Sequence, residues 1–221
     1  MSRQASAAGS GGRLTGPPAA VDLLVLGSGA GGLTAALTAA LSGLSALVLE
    51  HAPVIGGTSA RSSGTVWIPD SPYLRAAGVT DDRAQAERYL ASLVGNRGET
   101  ALWQAFLDSG PLMLADLRDR AGIGFRPFMK AADYRQDHPG AAPGGRALEP
   151  LDFDGRRLAE DFAQLARPLP ELMLFGGMMI TRAEAAALLR ADRSPRAAWL
   201  GLRLVARYLA DRIGHPRGTR L

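Results

Sequence analysis

From Leu23 to Leu49 the chain carries no charged residue, and the run divides by texture. Val21–Leu26, apolar apart from Asp22, is the kind of stretch expected for a buried strand. Gly27, Gly29, Gly31 and Gly32 interrupt it. A small-residue segment containing Ala35, Ala36, Ala39 and Ala40 then predicts a helix that stops at Ser42-Gly43. Ser45–Leu49 predicts a second strand, which ends at Glu50. An uncharged run of this length could also span a bilayer. The glycine break and the strand–helix–strand division argue instead for a buried unit of a parallel sheet.

After Glu50 the pattern changes. Residues 51–69 are rich in Gly, Ser and Thr and read as a loop ending in Trp67-Ile68-Pro69. A helix is expected from Thr80 as N-cap, with Asp81 and Asp82 in its first turn. Its apolar face is Ala86, Tyr89, Leu90 and Leu93, and Gly95 closes it. Glu99–Asp108 predicts a second helix. Pro111 opens a third that stops at Gly122, with Leu112, Leu114 and Leu117 as buried positions. Residues 123–128 read as a short strand and 129–157 as a long irregular loop, a length more often functional than decorative. Leu172–Ile180 is strongly apolar around Gly176-Gly177. Thr181 and Glu184 have capping-box spacing for a helix to about Arg190. A last helix covers about Pro195–Arg212, where Trp199, Leu202, Ala206, Leu209 and Ile213 recur at helical spacing and read as a core stripe.

Residues 1–20 have no apolar periodicity and read as a flexible tail. They contain no apolar leader, so a cytoplasmic location is expected. The organisation predicted is therefore a tail (1–20), a strand–helix–strand unit with loops (21–70), and a helical and loop portion (71–221).

Composition narrows the chemistry. With 47% hydrophobic and 21% charged residues, the 221-residue chain is an ordinary globular sequence. It has no cysteine, which excludes disulfides, thiol nucleophiles and cysteine-ligated zinc. Three histidines leave little for a His-rich metal site, and no metal is expected. The net charge is +4, Lys130 is the one lysine, and no dense basic run occurs, so nucleic-acid binding is not expected.

The glycines between the two strands spell G-x-G-x-x-G. Gly27 permits a tight turn out of the strand, Gly29 lets a pyrophosphate approach the backbone, and Gly32 lets the helix pack closely. The helix start offers N–H groups and a positive dipole end to phosphates. Glu50, 18 residues past Gly32, is placed to accept from ribose hydroxyls. An acidic residue there disfavours a cofactor with a 2′-phosphate. A second Gly-rich turn follows at once, Gly56-Gly57-Thr58-Ser59, which favours FAD over a nicotinamide cofactor.

As a whole, Gly27–Pro69 resembles the start of the fumarate reductase/succinate dehydrogenase flavoprotein superfamily. The string GGTSARSSGTVWIP is most similar to its 3-ketosteroid Δ1-dehydrogenase branch. That resemblance implies an α/β fold: the N-terminal portion of a Rossmann-like FAD-binding domain of the GR2 type, with a helix-rich insertion. It implies FAD contacts from Gly57, Thr58 and Ser59, and an approach to the isoalloxazine by Ser62, Ser63 and Gly64. Ser63 and Thr65 stand where many members have Gly. Asp133-Tyr134, His138-Pro139-Gly140 and Gly144-Gly145-Arg146-Ala147-Leu148-Glu149-Pro150 resemble a further stretch of the branch. Tyr134 matches a tyrosine that lies by the steroid and assists the catalytic base. His138 is a tempting base but reads more simply as a surface residue. Arg146 reads as a brace for the loop or as a carboxylate binder.

The implied activity is FAD-dependent removal of hydrogen next to a ketone, with a small-molecule substrate such as a 3-ketosteroid. The electron acceptor is left open. Full members are more than twice this length, and residues 214–221 look like the beginning of their G-x-G-T-x-L stretch. The chain is thus expected to be an N-terminal fragment. Two alternatives remain: a fumarate-reductase-like flavoprotein acting on a carboxylate, and a non-catalytic FAD-binding remnant.

Overall fold

The computed structural model describes residues 20–175 and 177–214. The tail expected at 1–20 lies outside them except for Ala20, and so do Gly176 and residues 215–221. The described residues form two compact units, divided between His51 and Ala52.

In the first unit, strand β1 (Leu23–Leu26), helix α1 (Ala30–Leu41) and strand β2 (Ala46–Leu49) follow the predicted order. The strands pair in parallel, with Leu23 opposite Ala46 and Leu26 opposite Leu49. Asp22 fixes the start of this register: one carboxylate oxygen accepts from the Ser45 backbone at 2.8 Å and from its hydroxyl at 2.6 Å. These bonds hold the Asp22 carboxyl below its ordinary pKa. Helix α1 ends at Ser42, and Gly43 takes a left-handed φ of 79°. Strand residues Leu24 and Leu26 are exposed, Leu26 by 78%.

The second unit is built on a three-stranded antiparallel sheet in the order β3–β5–β4 (Val66–Trp67, Ala147–Pro150, Phe125–Pro127). Its central strand lies inside the stretch that the sequence presents as an irregular loop. Ala-Leu-Glu-Pro has little strand propensity of its own, and β5 exists because it has a partner on each side. Leu148 of β5 is fully buried and packs with Ile68 and Leu114, flanked by Val66, Tyr73, Met113 and Phe125. Two short helices also interrupt the expected 51–69 loop region and its continuation: α2 (Gly57–Arg61) and α3 (Pro72–Ala76), the latter capped by the buried Ser71 side chain.

Two helix expectations are corrected. Helix α4 runs Arg83–Val94 and its N-cap is Asp82, not Thr80. Asp81 therefore lies before the helix, where it is engaged elsewhere. Residues 100–121 form one helix, α5 (Thr100–Ala121), with Pro111 inside it rather than at the start of a second helix. Pro111 lacks the N–H that would bond one turn back, a cost of about 3 kcal/mol in a helix interior. Against that stands one buried face that continues through it: Leu107, Gly110, Leu114 and Leu117. Gly110 lies so close to Ile68 that an added Cβ would be 3.0 Å from its Cγ2. Leu112, expected in the core, points away and is 71% exposed.

Toward the C-terminus, β6 (Met173–Leu174) and β7 (Met178–Met179) pair antiparallel. Helix α6 (Arg182–Leu188) has the predicted capping box: the Glu184 N–H donates to Thr181 Oγ1 at 3.1 Å and the Thr181 N–H to Glu184 Oε2 at 2.9 Å. Helix α7 (Pro195–Gly214) packs on α6, but not through the stripe the spacing suggests. Its buried positions are Ala197, Leu204 and Asp211, while Trp199, Leu202, Leu209 and Ile213 are exposed, Trp199 by 66%. Spacing identifies faces of a helix but not which face a neighbour covers. Among the described residues, no helix is long and apolar enough to cross a membrane.

This packing separates two leucines of α7. Leu204→Ala is expected to lower the urea-unfolding free energy by about 2–4 kcal/mol, as for a fully buried leucine. Leu209→Ala should change it by less than about 0.5 kcal/mol.

Candidate cofactor loops and tyrosine site

In the glycine turn of the first unit, Gly27 and Gly32 each have a structural reason to be glycine. Gly27 has φ 93°, a conformation L-residues rarely adopt, and its N–H donates to the Leu49 carbonyl at 2.7 Å. A Cβ on Gly32 would overlap the Gly27 carbonyl oxygen, so α1 can lie this close to the turn only with glycine there. Gly29 is the N-cap of α1, and a Cβ added to it would meet nothing within 4 Å. Open space thus faces the start of the helix, whose first turn holds no acidic residue. This cradle fits a pyrophosphate. Glu50 accepts from the backbone N–H of Ser28 at 2.8 Å and from its hydroxyl. The end of β2 therefore braces the turn, a contact the motif spacing alone does not reveal.

The second glycine turn opens α2 in the other unit. Gly56 (φ 105°) is its N-cap and Gly57 its first residue; Thr58 is exposed and Ser59 half-buried. At the helix end the Ser62 hydroxyl donates to the Ser59 carbonyl at 3.0 Å and accepts from the Gly64 N–H at 3.1 Å. Ser63 Oγ lies 3.2 Å from Thr65 Oγ1. Left-handed backbone in this turn falls on Gly64 (φ 66°), so Ser63 and Thr65 occupy the flanking positions without strain.

Immediately downstream, a buried charge cluster ties four segments together. Arg146, just before β5, is 1% exposed. Its Nε and Nη2 grip Asp81, with Nη2 at 2.8 Å from Oδ1, and its Nη1 reaches Asp133 Oδ2 at 2.8 Å and the Gly140 carbonyl at 2.9 Å. Both carboxylates are buried as well. Asp81 also accepts from the Asp70 N–H at 2.9 Å. Asp133 accepts from Trp67 Nε1 at 2.6 Å and from the Ala142 N–H at 2.9 Å. The Arg146 guanidinium lies 5.8 Å from the centre of the Trp67 ring, which stacks on Phe106. Arg146 is thus a brace rather than an open anion binder. Asp81 and Trp67 are the members that sequence reading missed. The one available signal was an acidic pair at 81–82 where a helix cap needs a single residue.

Tyr134 follows this anchor and is fully exposed. The residues around it are held: the Arg135 N–H donates to the Tyr89 hydroxyl at 3.2 Å, and Gln136 Nε2 donates to the carbonyls of Asp133 and Ala142. His138 Nδ1 lies 2.9 Å from Ser92 Oγ, so this histidine braces the loop against α4. Arg135 forms a two-bond pair with Asp137 at 2.9 and 2.7 Å.

Residues 22–217 match the family described as FAD binding domain. The chain belongs to this family. Its fold is the mixed α/β fold of that domain. It superimposes with a TM-score of 0.78 on the crystal structure of 3-ketosteroid delta1-dehydrogenase from Sterolibacterium denitrificans in complex with 1,4-androstadiene-3,17-dione. The two are 33% identical, over 90% of this chain and 35% of that one. It is 37% identical to the 3-oxosteroid 1-dehydrogenase of Mycobacterium tuberculosis H37Rv over 85% of this chain and 33% of the relative. It is 44% identical to the 4-oxocyclohexanecarboxylate 2-dehydrogenase of Sinomonas cyclohexanicum over 68% of this chain and 26% of the relative. The chain therefore spans about a third or less of the length of these relatives.

The Arg135 pair holds the Asp137 carboxyl down to about 2 from 3.8. Because folding lowers this pKa, the pair is complete above the ordinary value and is lost as pH falls through about 2. An NMR titration of the Asp137 carboxyl is expected to show a midpoint near 2 in the native chain, rising toward 3.8 in Arg135→Gln.

Proposed function

We propose that this chain is the FAD-holding N-terminal portion of a dehydrogenase that introduces a carbon–carbon double bond next to a ketone, acting on a 3-ketosteroid-like substrate. The observation that carries the reading is the G-x-G-x-x-G turn with open space over Gly29 at the start of α1, in a chain 37% identical to a 3-oxosteroid 1-dehydrogenase. Gly27, Gly29 and Gly32 shape the pyrophosphate cradle. Glu50 braces it and accepts from the adenosine ribose. Gly57, Thr58 and Ser59 bind FAD through the first turn of α2, and Ser62, Ser63 and Gly64 approach its ring system.

When bound, FAD supplies the hydride acceptor. The chain's own contribution lies in orientation and hydrogen bonding. The exposed phenol of Tyr134 donates to a substrate oxygen or relays a proton, and Arg146 and Asp133 hold the backbone from which it projects. A donor to a ketone oxygen stabilises the charge that develops there as the neighbouring C–H is broken. The Trp67-Ile68-Pro69 and Asp133-Tyr134 matches favour a ketone over a dicarboxylate substrate. The share of the relatives covered favours a second, compatible reading for the isolated chain: it holds FAD without turning substrate over.

Gly29→Val tests the cofactor half of the proposal. Its Cβ meets open space, so thermal stability should stay within a few degrees while the FAD dissociation constant rises at least tenfold. Equal FAD affinity in the two proteins would contradict a pyrophosphate over Gly29. Anaerobic mixing of the FAD-loaded chain with a 3-ketosteroid is expected to leave the flavin oxidised; rapid bleaching would rule out the second reading.

A further inference from the structure

Asp133 is the point at which two functional loops meet. One of its oxygens accepts from Trp67 Nε1, on the strand that follows the Ser62–Thr65 turn. The other accepts from Arg146 and from the Ala142 N–H. Tyr134 is the next residue and makes up none of this cluster, since its side chain is fully exposed. A phenol in open solvent has no packing to hold it, and its direction depends on the backbone on either side. That backbone is fixed on one side by the Asp133 carboxylate and its N–H bond to Ala142 at 3.0 Å. On the other it is fixed by the Arg135 N–H bond to Tyr89.

We propose that Arg146 is a positioning residue for Tyr134, acting through Asp133, and that the Trp67–Asp133 hydrogen bond couples the tyrosine loop to β3 and the turn before it. The role of Tyr134 toward substrate rests on the function proposed above; the coupling itself rests on contacts within one compact unit. Arginine suits the task because one planar fork satisfies Asp81 with two nitrogens and still presents Nη1 to Asp133 and the Gly140 carbonyl. A lysine at this position could not make all of these bonds at once.

Trp67→Phe is the sharpest probe, because it keeps an aromatic ring against Phe106 and removes the bond to Asp133. Hydrogen exchange followed by mass spectrometry reads the coupling without any ligand. The peptide covering 131–143 is expected to exchange at least tenfold faster in Trp67→Phe and in Arg146→Lys, with α5 unchanged. Unchanged exchange at 131–143, or an equal rise in α5, would overturn the proposal.

A double-mutant cycle then separates positioning of Tyr134 from general bracing. Binding of 1,4-androstadiene-3,17-dione to the FAD-loaded 221-residue chain is measured by equilibrium dialysis. Trp67→Phe is expected to weaken it about tenfold when residue 134 is Tyr and less than twofold in the Tyr134→Phe background. Equal weakening in both backgrounds would show that Trp67 acts independently of Tyr134 and overturn the positioning role. Failure of the unsubstituted chain to bind this steroid would overturn the substrate reading instead, and the exchange data would then decide the coupling.

Discussion

A single buried guanidinium organises the larger unit. Arg146 draws together the segment before α4 through Asp81, the tyrosine loop through Asp133 and Gly140, and β3 through the tryptophan that shares Asp133. Three formal charges are removed from water here, two negative and one positive. Such a cluster survives burial only when the lone pairs and protons left over by the ion pairs are also bonded. Here the Asp70 and Ala142 N–H groups and the Trp67 indole complete the carboxylates. Removing one member of a buried pair of this kind costs about 3–5 kcal/mol, because the partner is left charged and unpaired. The cluster therefore fixes where the loops go more than it adds net stability.

The same arrangement explains which features were legible in the sequence. The strand–glycine turn–helix–strand unit was, because every element of it is local. The turn needs a left-handed Gly27, and the helix must approach the turn closely at Gly32. The capping box at Thr181 was legible for the same reason. The charge cluster was not, since Arg146 finds its partners 65 and 13 residues away. Its existence displaced a local expectation: Asp81 is taken by Arg146, and the helix cap moves to Asp82. Pro111 misled in the same manner, because its lost backbone bond is outweighed by a buried face that runs through it. Strand β5 was hidden because its pairing, not its composition, makes it a strand. Helix α7 shows the limit of periodicity: the apolar stripe is real, yet the helix packs on α6 with Leu204 and Ala197, on another face, as its buried residues.

The two glycine-rich turns use glycine differently. At the first, Gly32 makes room for protein packing, while a side chain on Gly29 would meet open space at the start of α1. At the second, Gly56 and Gly64 supply backbone conformations that set the ends of a five-residue helix and of the turn after it. Membership of the FAD binding domain family gives these local arguments a common object. The relatives are about three times longer than the matched stretch, so their chemistry is a proposal for this chain, whereas the hydrogen bonds that shape its glycine turn and its tyrosine loop are seen directly.

The claim on which the account turns is that the space over Gly29 is a phosphate cradle. A crystal structure of the 221-residue chain grown with FAD tests it most directly. The account expects the pyrophosphate against Gly29 and the first turn of α1, with Glu50 still bonded to Ser28. FAD seated elsewhere, with the Gly27–Gly32 turn empty, would contradict it.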